Sequence, residues 1–397
     1  MTALATRPAP PSLRRAAPAL LGYAAVRALG LVALAGWSAA RDKSALTLLS
    51  ARWDSLWYTR VAELGYGYEV RLPNGDVHSN LAFFPLLPWL ERTVSAVTPL
   101  SPAHAGLAVA TLASLAAAWG IFAVADRVYG GRAGVCAVLL WAVLPVGIVQ
   151  SMAYTESLFT ALAAWSLYAV LTGRWVTAGA LAALAGLTRP VGLAVVAALW
   201  AAAIGSYVRQ RRPASPPPSE RNRSAQAPVG ARPWSRALGM FLAPLGALGY
   251  VLWVGRRTGG GPLGYLDVQA GWRNGFDGGY AFARFVTGKF TSFPSALAGV
   301  GLIIGVALII WLYVVCVRQG QPLPLLVYAG VVTALALCAS SYFGSKPRLL
   351  MPAFPLLLPL ARALARARVS RSAAVVGAAG VVSALYGAFW LNGSGPP

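Results

Sequence analysis

The sequence predicts an all-α polytopic membrane protein, and three observations carry that prediction. Of its 397 residues, 57% are hydrophobic and only 11% are charged, against about 25% charged in soluble domains. Mean hydropathy is +0.62. Apolar runs close to the roughly 20 residues needed to cross a bilayer recur along nearly the whole chain. Residues 1–397 therefore read as a single integral membrane domain rather than as two or three soluble ones.

The formal net charge is +22. In a soluble protein such an excess points to nucleic acid. Here the Lys and Arg residues gather in loops beside the apolar runs, where they set orientation and meet anionic membrane lipids. No basic helix with interleaved aromatics stands apart from the spans, so nucleic acid is not an expected partner. Cys136, Cys316 and Cys338 all lie in apolar segments without metal-ligand spacing.

Each span is read from its apolar run and its flanks. Arg7, Arg14 and Arg15 precede the run Ala17–Leu34, which is long for the core of a cleaved signal, so it is expected to stay as a first span. Eleven spans are expected, at 17–39, 104–125, 132–149, 154–171, 175–188, 190–208, 235–255, 296–317, 323–341, 348–365 and 373–391. The apolar segment 80–98 opens on Phe83-Phe84-Pro85 and contains Pro88, Glu91 and Arg92, which suits an interfacial or re-entrant helix.

Orientation follows from charge. With the N-terminus cytoplasmic, the inner side receives the N-terminal arginines, Arg127, Arg132, Arg174, Arg318 and the group Arg362, Arg366, Arg368 and Arg371, as the positive-inside rule requires. Of the eleven acids, only Asp126 and Glu220 then fall inside. A full crossing by 80–98 would invert every later loop and is rejected for that reason. Two long outer loops result, 40–103 and 256–295, and a Pro-, Ser- and Arg-rich segment, 209–233, reads as a flexible cytoplasmic linker.

Long loops are where a membrane bundle tends to keep its chemistry. The first outer loop contains Arg52-Trp53-Asp54-Ser55-Leu56-Trp57-Tyr58. Read as a helix, Asp54, Trp57, Tyr58 and Val61 share one face. Periodicity alone leaves two roles for Asp54: the cap of a short amphipathic helix, or an acid held where headgroups meet water. Arg189 lies between the apolar runs 178–187 and 190–204, and charges at such depth are costly and usually functional.

Arg52-Trp53-Asp54 with Tyr58, Ala62-Glu63 and Gly65-Tyr66, followed by Ala82-Phe83-Phe84-Pro85-Leu86-Leu87-Pro88, resembles the PIG-V family, the mannosyltransferases that add the second mannose of GPI anchors, with their bacterial relatives. Tyr154-Thr155-Glu156-Ser157-Leu158-Phe159, Thr188-Arg189-Pro190-Val191-Gly192 and Lys346-Pro347-Arg348 resemble later elements of that family, in the same order. The resemblance runs from about residue 50 to residue 365. It implies the GT-C membrane glycosyltransferase architecture, a polyprenyl-phosphate sugar donor and an acidic residue in the first outer loop. Pro190-Val191 departs from the family's Ser-Asn, and Asp54 stands without a paired acid. A bound divalent metal is thus not expected, because hard cations want several oxygen ligands, and no other cofactor is expected.

What the resemblance implies can be assigned to residues. Asp54 is the expected catalytic base, and Arg189, Arg348 and Lys346 the expected binders of the donor phosphate, since a guanidinium grips phosphate with two parallel hydrogen bonds. Glu156, Trp53, Tyr58, Arg52, His78 and Asn80 are candidate substrate contacts; Trp272, Arg273, Asn274 and Asp277 of the second loop are candidates for the acceptor. The expected activity is transfer of mannose or another hexose to an extracytoplasmic lipid or protein acceptor. The Ala-, Arg- and Gly-rich composition points to a bacterial plasma membrane. Two rivals remain: another GT-C transferase of protein O-mannosyl or aminoarabinose type, and a non-enzymatic lipid-linked sugar transporter.

Overall fold

A computed structural model describes residues 12–211, 233–340, 342–393 and 395. The protein is an all-α polytopic membrane protein. Among the described residues, six helices are long and apolar enough to cross a membrane: Leu13–Ala39, Pro102–Tyr129, Pro190–Gln210, Pro233–Thr258, Ser295–Arg318 and Val369–Leu391. A seventh candidate is the pair Phe343–Leu350 and Phe354–Arg366, bent by 73° at its break. Each remaining expected span contains a shorter apolar helix, namely Gly131–Ala142, Thr155–Leu171, Trp175–Gly186 and Leu323–Cys338. Most of the expected linker, 212–232, lies outside the described residues, as does Arg7.

The shorter helices limit the expectation of eleven spans, of which 175–188 was already short in the sequence. A helix of 12 residues such as Gly131–Ala142 rises only about 18 Å at 1.5 Å per residue, against a hydrocarbon core of about 30 Å. The chain then continues as irregular backbone, which membranes tolerate only where its polar groups are satisfied by protein. Arg27 of the first helix supplies one such solution. It is 9% exposed and donates to the carbonyls of Ala142 and Gly147, where the Gly131–Ala142 helix gives way to the turn Gly147–Ser151. An arginine within a span is here spent on a broken helix end.

Small residues set the packing. A Cβ on Gly179 would collide with the Gly239 carbonyl, and one on Gly246 with the Ala183 carbonyl. The Trp175–Gly186 helix therefore lies backbone to backbone along Pro233–Thr258, as small-residue packing in membranes allows. That contact fixes where the first of these helices ends, and the residues that follow its end are Thr188 and Arg189.

The segment 80–98 forms the helix Leu86–Val97, 12 residues long and strongly two-faced. Leu87 and Glu91 are buried while Trp89 is 53% exposed. Its first turn is tied down by Leu86 N–H donating to the Leu187 carbonyl at 3.0 Å. Segments between the long helices add two small antiparallel pairs. Glu69–Arg71 pairs with Val77–Ser79 across a turn at Gly75, and Gly275–Phe276 pairs with Ala339–Ser340.

Candidate active site

Asp54 opens the helix Asp54–Leu64. The residue before it, Trp53, has φ +55°, in the left-handed region that costs a non-glycine residue about 1–3 kcal/mol. Its neighbours hold it there. The Arg52 guanidinium donates to the carbonyls of Leu391 and Gly393 at 2.9 and 2.8 Å, anchoring the segment to the end of the last helix. It also lies 4.0 Å from the Trp53 ring centroid. Ser55 Oγ donates to the Arg52 carbonyl at 2.6 Å and accepts from Arg52 N–H at 2.8 Å. The strained turn aims the Asp54 side chain at Arg348, and the cap position of the helix is held by Trp53, so of the two roles left open by periodicity the capping one is not adopted.

Arg348 lies in the short helix Lys346–Leu350. Its Nη1 is 2.8 Å from Asp54 Oδ2, and its Nε is 3.3 Å from Glu156 Oε1. Arg189 Nη1 is 2.9 Å from the same Glu156 oxygen. Glu156 sits in the first turn of Thr155–Leu171, where the helix dipole favours a carboxylate. Two acids and two guanidiniums from four separate segments thus form one continuous network. Arg189 Nη1 and Arg348 Nε and Nη1 are buried and sit at ion-pair distance from these carboxylates.

Exposure separates the two carboxylates. The Asp54 side chain is 30% exposed and that of Glu156 only 2%. Asp54 is the acid open to water, and Glu156 is the acid that lies against both guanidiniums. Tyr154 braces Asp54 and Arg348: its hydroxyl accepts from Asp54 N–H at 3.3 Å, and its ring lies 5.0 Å from the Arg348 guanidinium carbon. Tyr58, at the other side of Asp54, pairs its hydroxyl with Thr155 Oγ1 at 3.1 Å. Burial raises the Tyr58 hydroxyl above its ordinary range, and the nearby Asp54 and Glu156 charges raise it further, so it acts as a neutral phenol. Tyr154 and Thr155 belong to the motif that yielded Glu156; their aromatic and hydroxyl chemistry next to a chosen acid was the available signal.

The other candidates are placed elsewhere. Lys346 donates to the carbonyls of Ala336, Leu337 and Ala339 at 2.7, 3.3 and 2.9 Å, so its ammonium closes the end of the Leu323–Cys338 helix. His78 stacks on Trp272 with centroids 4.0 Å apart. Asn80 is fully buried and ties Gly67 N–H and the Gly65 carbonyl, both at 3.0 Å. In the second loop, Trp272 Nε1 donates to the Ser79 carbonyl at 3.0 Å, Arg273 pairs with Asp76 at 2.6 Å, Asn274 donates to Gln269, and Asp277 caps the N–H groups of Gly279 and Ala281. The contacts of Trp272 with Ser79 and His78 and of Arg273 with Asp76 join the two long loops. Among the described residues, no three His, Cys, Asp or Glu side chains gather as metal ligands.

The class this fold defines is that of polytopic helical membrane proteins similar in fold to a solved structure of ArnT. The model of the family described as dolichyl-phosphate-mannose-protein mannosyltransferase matches residues 81–218, just over a third of the chain. Among solved structures, the chain is similar to ArnT from Cupriavidus metallidurans bound to undecaprenyl phosphate, at 16% identity and a TM-score of 0.52, covering 90% of this chain and 61% of that one. ArnT from the same organism in the apo state gives 18% identity and a TM-score of 0.49, over 81% and 56% of the two chains. The archaeal oligosaccharyltransferase AglB from Archaeoglobus fulgidus, in complex with an inhibitory peptide and a dolichol-phosphate, gives 12% identity and 0.48, over 94% and 56%. The chain thus spans about three fifths of the length of the first of these structures. No curated protein sequence matches significantly.

Proposed function

We propose that the protein is a glycosyltransferase that moves a sugar from a polyprenyl-phosphate donor to a hydroxyl on an extracytoplasmic acceptor. The observation that carries this reading is the shared guanidinium of Arg348, which lies against the accessible Asp54 and the buried Glu156 together, with Arg189 completing the cluster. The resemblance to PIG-V supports mannose as the sugar. The structures of ArnT with undecaprenyl phosphate and of AglB with a dolichol-phosphate name the same kind of lipid partner.

The chemistry divides between the two ends of the network. Asp54 takes the proton of the acceptor hydroxyl as its oxygen bonds to the sugar's anomeric carbon. The bond from that carbon to the phosphate oxygen breaks, and the lipid phosphate departs with the electron pair. Arg189 and Arg348 face the charge that develops on it, and cations fixed in advance in a dry site lower the barrier most. Glu156 keeps the two guanidiniums in place. Tyr58 and Trp53 flank the sugar. Arg52 and Lys346 act through the backbone, by holding the Asp54 turn and the Arg348 helix.

A second reading keeps the reaction and changes the acceptor. The matching family model names a protein mannosyltransferase, which favours a hydroxyl on protein. Both readings are tested by incubating membranes containing the protein with labelled polyprenyl-phosphate mannose, supplying either envelope lipid extract or a Ser/Thr-rich peptide. Wild type labels one of the two and Asp54→Ala labels neither. Equal labelling by both proteins removes the assignment of Asp54. Donor movement across vesicles without transfer points to a transporter.

A further inference from the structure

One face of the Leu245–Thr258 helix carries a feature that the transfer site does not use. Leu245, Gly249 and Trp253 line a cavity of about 600 Å³, closed on the other sides by Leu187, Tyr66 and Trp89. The volume is that of a small-molecule site, and the walls are almost wholly apolar. Trp89 and Trp253 line it while remaining 53% and 39% exposed, so they stand at its mouth, as tryptophans do at the boundary of a bilayer. Gly249 leaves it open, since a Cβ there would meet nothing within 4 Å.

The same face ends in charge. One turn beyond Trp253, the Arg257 guanidinium lies 5.5 Å from the Trp253 ring and donates to the Tyr66 carbonyl at 3.0 Å. Arg256 is beside it in the last turn, and both are exposed. Among the described residues, neither has a carboxylate within 4 Å, whereas Arg189 and Arg348 are buried and paired with acids. An apolar slot continuous with two unpaired cations has the chemistry of an anionic lipid: chain in the slot, headgroup anion on the arginines.

We propose that this slot binds an anionic lipid through its chain and through Arg256 and Arg257, and that this lipid is the acceptor. The proposal rests on the glycosyltransferase reading for the word acceptor, but not for the binding. Leu187, which lines the slot, stands two residues before Arg189, so the slot borders the segment that carries one cation of the ion-pair network. The lipid's own anion is served by cations other than those that hold the donor phosphate.

Binding is read first, by native mass spectrometry of the full-length protein with phosphatidylglycerol, phosphatidylcholine of equal chains, or polyprenyl phosphate. Wild type retains phosphatidylglycerol over phosphatidylcholine. Gly249→Leu, which fills the slot from an open position, lowers retention of phosphatidylglycerol at least about tenfold and leaves polyprenyl phosphate retention unchanged. The double variant Arg256→Gln/Arg257→Gln loses the preference between the two glycerolipids, and it decides the matter should Gly249→Leu fail to fold. Equal retention by all three proteins overturns the proposal, as does a loss confined to polyprenyl phosphate, which would make the slot the seat of the donor chain. In the transfer assay, Gly249→Leu raises KM for lipid acceptor while release of sugar to water is unchanged; an unchanged KM overturns the acceptor role. A wild type that never consumes donor would refute the enzyme reading and leave the binding result standing.

Discussion

Glu156→Gln is the most informative perturbation of the ion-pair network. The substitution keeps shape and an acceptor oxygen and removes one buried negative charge. Arg348 retains Asp54 at 2.8 Å, but Arg189 has no second carboxylate within 4 Å among the described residues. Its guanidinium is only 13% exposed, so water screens little of the loss. Breaking one side of a buried pair costs about 3–5 kcal/mol, and here that cost falls mainly on Arg189. The apo protein should unfold at a clearly lower temperature than wild type. Polyprenyl phosphate supplies the missing anion, and a ligand at 100 times its Kd stabilises by about 2.7 kcal/mol. Its Tm gain should therefore be larger for the variant than for wild type. The assay is thermal unfolding in detergent with and without polyprenyl phosphate. A variant as stable as wild type, or equal Tm gains in both proteins, would refute the view that Glu156 balances cations built for a phosphate.

Three further predictions follow from the same structure. Arg348→Lys replaces a planar fork reaching two carboxylates with a single point charge; kcat should fall about 10²-fold or more with a smaller change in KM for donor, measured with labelled donor. Gly246→Val places a side chain against the Ala183 carbonyl, displaces the helix that leads to Arg189, and should lower both yield of folded protein and activity. Glu91 is fully buried, and burial first, then the Glu63 charge, raises its carboxyl well above 4.5. An acid whose folded-state pKa is raised favours folding least at high pH, because folding must keep the proton that the unfolded chain releases. Glu91→Gln should then be near neutral at pH about 4 and stabilising above it, with the gain growing until pH reaches the raised value; a pH-independent ΔTm would contradict this.

Much of this architecture was legible because apolar runs and basic flanks follow directly from the bilayer as solvent. Arg189 was legible as a charge placed where charge is expensive, and Asp54 and Glu156 through the motifs that resemble PIG-V. What escaped the sequence was partnership. Lys346 and Arg348 are neighbouring cations in one short helix, but two residues at about 100° each put them on nearly opposite sides. One closes a helix end and the other meets Asp54. His78 and Asn80 were chosen as polar residues in a loop, and the structure spends them on Trp272 and on the turn at Gly65–Gly67. The cause of the break after Ala142 was unreadable for a similar reason. The break after Ala142 depends on Arg27, 115 residues earlier, and composition does not record which carbonyl a distant arginine will satisfy.

The central claim is that Asp54 and the donor phosphate share one recess open to the extracytoplasmic side. Asp54→Cys, in a chain whose Cys136, Cys316 and Cys338 are replaced by Ala, can be labelled in spheroplasts with a membrane-impermeant thiol reagent. The account predicts labelling from outside, with protection by polyprenyl phosphate. Labelling only after the membrane is opened, or labelling that polyprenyl phosphate does not slow, would contradict it.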